Sequence, residues 1–124
     1  MTKSIFQVAS YFQDKLIKNA SYPTSEGISS IAKELVDSLK SSNKQILGGV
    51  KTVDNVSLSG GEFGEPYKVY LQLVFVPNWY NQIVIDQDLK SNIINLVKSS
   101  LEEKLRTQYS SNFAFSVNIG IVPV

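Results

Sequence analysis

From Asp86 to Val122 the chain reads DQDLKSNIINLVKSSLEEKLRTQYSSNFAFSVNIGIV, and this stretch decides the fold. Its first part places apolar residues at Leu89, Ile93, Leu96, Val97, Leu101, Leu105 and Tyr109, a stripe with helical period. A continuous helix from Leu89 to Tyr109 would be roughly 30 Å long at about 1.5 Å per residue. The period then changes. Phe113, Phe115, Val117, Ile119 and Ile121 alternate with Ala114, Ser116, Asn118, Gly120 and Val122, the pattern of a strand with one large-residue face and one small-residue face. Asp86 or Asp88 is placed to cap the helix.

Working outward, the strand before this unit is equally plain. Tyr67, Val69, Leu71, Leu73 and Phe75 point one way, and Lys68, Tyr70, Gln72, Val74 and Val76 the other. A strand, a long helix and a second strand make a crossover unit whose two strands run parallel. Upstream, Val50 to Leu58 reads as a weaker strand, with Val50, Val56 and Leu58 sharing a face with Thr52 and Asp54. Ser59 to Pro66 is a loop too long for a two-residue hairpin turn. Before it, Ser25 is expected to cap a helix that turns Ile28, Ile31, Ala32, Leu35 and Leu39 inward and fades at Ser41–Asn43. Pro23 breaks the chain ahead of that helix. Further upstream, Ser4 and Gln7 form a capping box for a first helix with Ile5, Val8, Ala9, Phe12 and Leu16 on one face. The expected fold is α+β, two-layered, with a small mixed three-stranded sheet and the order α-α-β-β-α-β. It forms one domain over residues 1–124, in which residues 1–45 make a helical hairpin and 46–124 a β-β-α-β unit.

The inventory narrows function by exclusion. The 124 residues contain no Cys and no His. Disulfides, thiolate nucleophiles, His- or Cys-based metal sites and Ser-His-Asp hydrolysis are therefore ruled out. Net charge is +1, which gives no general attraction to nucleic acid or acidic membranes. No apolar run is long enough to span a membrane, and the start of the chain lacks a signal core. The expected location is the compartment of synthesis: cytoplasm, or a virion if the source is viral.

Several groups of residues are candidates for a site. Gly61-Glu-Phe-Gly64 matches a bare G-x-x-G spacing, but it lies between strands and lacks a basic residue, so a hairpin tip is the simpler reading. Asp86 and Asp88 could hold a hard cation with Glu62, Glu65 or Asp54; capping explains them more simply, and no metal or cofactor is expected. Lys3, Lys15, Lys18, Lys33, Lys40, Lys44 and Lys51 could form a basic face for nucleic acid, although interleaved acids favour an ordinary solvated surface. Pro77 to Gln82 reads as a polar loop carrying Trp79 and Tyr80, residue types enriched at interface hot spots; equally, one ring could fold back to close the core end beneath the long helix, and Phe63 joins them as an interface candidate. The last strand offers Ala114, Ser116, Asn118 and Gly120, a narrow strip whose simpler reading is that it faces water or receives helix one or two of the same chain, and where a neighbouring subunit could instead pack or extend the sheet.

From Val50 to Val122 the order of elements is similar to the strand–strand–helix–strand ending of the bacterial alkaline-shock protein family. It also resembles the small neck and tail-terminator proteins that form rings on long-tailed phages. The likeness is one of topology, and it implies a non-catalytic domain that works within an assembly. The functional expectation is a structural protein that self-associates or docks into a ring- or tube-like complex, with protein partners. The alternative is a small nucleic-acid-binding module using the Lys-bearing helices.

Overall fold

The computed structural model describes residues 22–109 and 112–124. Helix α1 spans Ser25–Ser42, the single turn α2 Lys44–Leu47, strand β1 Val50–Gly60, strand β2 Tyr67–Phe75, helix α3 Pro77–Ile85, helix α4 Gln87–Gln108 and strand β3 Phe115–Pro123. The three strands form one mixed sheet in the order β1-β2-β3, with β1 antiparallel and β3 parallel to β2. The α+β class, the three-stranded mixed sheet and the order of elements are those expected from the sequence. The helix expected from Ser4, and with it the helical hairpin, lies outside the described residues.

The helix ends show how local chemistry sets each boundary. Thr24 rather than Ser25 is the N-cap of α1: its backbone is extended, and its Oγ1 accepts the Gly27 N–H at 3.0 Å. At the other end Asn43 stops the helix, donating both its backbone N–H and its Nδ2 to the Leu39 carbonyl. The turn α2, too short to leave a periodic signal, follows and carries Leu47 into the core. Asp86 caps α4, its Oδ1 accepting the Leu89 N–H at 3.0 Å. The crossover between β2 and β3 therefore holds two helices, α3 and α4, hinged at that capping residue.

The core lies between the helices and one face of the sheet. Ile93, Val97, Leu101 and Leu105 recur every four residues along α4 and are fully buried. Each such side chain contributes about 1.5–3 kcal/mol by leaving water. They meet Val69, Leu71, Leu73 and Phe75 of β2, Phe115 and Val117 of β3, and Ile28, Ala32 and Val36 of α1. Helix α1 packs mainly under β1, and α4 under β3.

Strand β1 departs from the expected pattern. It carries one extra residue between Val50 and Thr52 and another between Asp54 and Ser57. Each bulge flips the alternation. Val50 and Val53 consequently face the core together, while Thr52 and Asp54 lie on the opposite face beside Val74 and Gln72. That opposite face also bears Ser57, Ser59, Lys68, Tyr70, Ser116, Asn118, Gly120 and Val122. All of them are exposed or half-buried; of the face as a whole only Val74 is buried.

Candidate functional site

The aromatic candidates occupy opposite ends of the sheet. Phe63 sits at the tip of the β1–β2 hairpin, fully exposed, with a left-handed backbone (φ 53°) flanked by Gly61 and Gly64. Trp79 and Tyr80 lie beyond the far end of β2. The stretch expected there as a loop is helix α3, started by Pro77 in its first turn, where the missing N–H costs nothing. Trp79 is half-buried and packs on the core with its ring over Gly49; a Cβ added at Gly49 would lie 2.1 Å from the indole Cγ. Glycine at 49 thus lets the backbone pass under the indole, and Trp79 has a packing role. Tyr80 is half-buried against the same core.

An aromatic row that the sequence did not reveal closes the hairpin end. Tyr67 stacks on Phe115 at 5.6 Å and meets Phe113 edge-on at 5.5 Å. Tyr22 and Tyr109 extend the row against Phe113 and Phe115. Burial pushes the Tyr109 phenol above its ordinary pKa. Only the pairing of β2 with β3 brings these rings together, so spacing along the chain gave no signal.

The small-residue face of β3 is not bare. Ala114 and Asn118 are exposed, and Ser116 and Gly120 half-buried. The phenol of Tyr70 leans over Gly120, whose Cβ, if present, would lie 2.6 Å from the hydroxyl oxygen. Tyr70 in turn accepts a hydrogen bond from Gln72 Nε2 at 3.0 Å, and Gln72 Oε1 accepts from Asn55 Nδ2. A row of polar side chains therefore crosses the sheet from the β1 bulge to Gly120.

The edge of β3 away from β2 has a further property. Tyr67 N–H donates to the Ala114 carbonyl at 2.8 Å, and Val124 N–H to the Phe75 carbonyl at 3.0 Å. In a strand successive residues turn their backbone groups to opposite sides. The even-numbered residues of β3 therefore serve β2, and Phe115, Val117, Ile119 and Ile121 turn N–H and C=O outward. One of these groups is occupied: Val117 N–H donates to Glu102 Oε2 of α4 at 3.0 Å. Among the described residues no hydrogen bond reaches the outward groups of Ile119 and Ile121. The pairing of β3 with β2 runs without a bulge from Phe115 to Pro123, and no Asp, Glu, Lys or Arg follows Arg106 in the chain.

The remaining candidates are dispersed. Asp86 is committed to its cap, and among the described residues no group of three acidic side chains is placed to hold a metal ion. Lys3, Lys15 and Lys18 lie outside the described residues. Lys40 Nζ donates to the Val50 carbonyl at 2.7 Å, and Lys33 and Lys51 share a shallow depression with Asp37, which sets an acid among these bases. No described helix is long and apolar enough to cross a membrane. Comparison of the chain with protein-family models, with curated proteins and with solved structures finds no match.

Proposed function

We propose that this chain is a non-enzymatic assembly protein that holds other protein chains by strand addition at the edge of β3 away from β2. The observation that carries the reading is that edge itself: nine residues in unbroken register with β2, without a charged side chain, and with the outward groups of Ile119 and Ile121 unmet among the described residues. Backbone groups on such an edge gain affinity from any strand laid beside them, and natural monomers ordinarily blunt them with charge, proline or bulges. The lack of His and Cys supports the non-catalytic part of the reading. A strip built for this purpose suits a subunit that repeats in a ring- or tube-like complex.

Light scattering over a wide concentration range tests the proposal. A particle mass that rises above the 13.8 kDa of one chain as concentration increases supports it. A mass fixed at that value throughout, with β3 amides exchanging freely in the presence of candidate partner proteins, would remove it.

A further inference from the structure

We infer that the strand received at this edge is β3 of a second copy, lying antiparallel about a two-fold axis at Gly120, so that two three-stranded sheets become one sheet of six. The inference rests on the strand-addition reading and names its partner and register. It comes from accounting for backbone groups. In the register that places Gly120 opposite itself, Ile119 faces Ile121 of the other copy. Each such pair exchanges two hydrogen bonds, and the symmetry makes four. All the unmet outward N–H groups of Ile119 and Ile121 are then used.

The pairing also ends cleanly. The next hydrogen-bonded pair would set Val117 against Pro123 of the other copy. Pro123 has no N–H to give, and Val117 N–H is already taken by Glu102. No donor is stranded by stopping there. Other symmetric registers do less well. Centring on Ile119 would set Val117 against Ile121 and force Glu102 off its N–H, and centring on Ile121 would oppose Ile119 to the proline.

Side chains agree with the backbone. Directly opposed residues without hydrogen bonds come closest, with Cα atoms about 4.5 Å apart, and the residue at that place on the axis is glycine. Ile119 and Ile121 are half-buried on the helix-covered face, where each would cover the other's exposed flank. The paired strands carry no charge, and the two Glu102 carboxylates, each held on Val117 N–H, fall at opposite ends of the seam, so like charges do not oppose each other there.

The chain has no cysteine, so introduced thiols report without interference. In this register residue 118 stands directly opposite residue 122 of the other copy, within reach of a disulfide. Residues 118 of the two copies are about 13 Å apart at about 3.3 Å per residue, too far for a bridge. The double variant Asn118→Cys/Val122→Cys is therefore expected to form a covalent dimer on mild oxidation, while each single variant does not. Circular dichroism of the reduced proteins checks that all three fold. Bridging by Asn118→Cys alone would overturn the register. If chains associate by light scattering and the folded double variant does not bridge, this pairing fails and assembly by another route stands. If the mass never exceeds one chain and no bridge forms, the pairing fails together with self-association.

Discussion

The two edges of this sheet are made of the same backbone and treated in opposite ways. Strand β1 carries two extra residues, a left-handed Asn55 and the charges of Lys51 and Asp54, and its pairing with β2 is interrupted at both bulges. Strand β3 keeps one uninterrupted register and carries no charge. Bulges and charge are the ordinary devices that keep a strand edge from recruiting another chain. Their concentration on one side, and their absence from the other, shows that edge protection is local. The exception on the β3 side is Glu102, which reaches from α4 to occupy a single N–H and so limits how much of the edge is offered.

The largest expected effect breaks the comparison at β3. Ile121→Pro removes an outward N–H without touching the β2 ladder, a replacement that edge strands tolerate. Two symmetric hydrogen bonds are lost, and at about 1 kcal/mol each the association constant should fall roughly 30-fold. Sedimentation against concentration measures it, with circular dichroism to show that the fold persists.

At the opposite edge, Asn55→Val puts a β-branched residue where φ is 53°. The left-handed region costs such a residue about 1–2 kcal/mol, and the hydrogen bond to Gln72 is lost as well. Denaturant unfolding should show that loss with no change in self-association. A drop in association would mean that both edges take part, and the contrast between them would fail.

How much of this was legible in the sequence follows the same division. Strand β2, helix α4 and strand β3 were readable because their apolar spacing is regular and each buries one clean face. Strand β1 was misread because a bulge is one inserted residue: it transfers Thr52 and Asp54 to the other face while leaving composition unchanged. The stretch from Pro77 to Gln82 looks like a loop for its polarity, yet Pro77 suits a first helical turn, and buried Ile83, one residue past Gln82, anchors the helix. Ala114, Ser116, Asn118 and Gly120 were found as a strip. That Tyr70 lies over Gly120, and that Glu102 meets Val117, depends on register between distant segments, which spacing along one segment does not carry.

A smaller effect sharpens the account of Glu102. Glu102→Ala should cost roughly 0.5–1.5 kcal/mol, the worth of one partly exposed hydrogen bond. The Val117 amide should exchange faster in the dilute protein, and raising concentration should then extend protection to it. Smallest is the alkaline behaviour of Tyr109 beneath β3. Burial raises its folded pKa above the unfolded value near 10, so the unfolded chain loses that proton first. Its contribution is intact below about pH 10 and falls as pH rises through the unfolded pKa, levelling above the folded one. Tyr109→Phe should flatten that part of the pH–stability curve.

Amide hydrogen exchange, followed residue by residue as protein concentration is raised, tests the central claim most directly. Protection at Ile119 and Ile121 should grow with concentration, while the outward amides of β1 remain unchanged. Equal and concentration-independent exchange along both edges, at concentrations where the chains are associated, would contradict it.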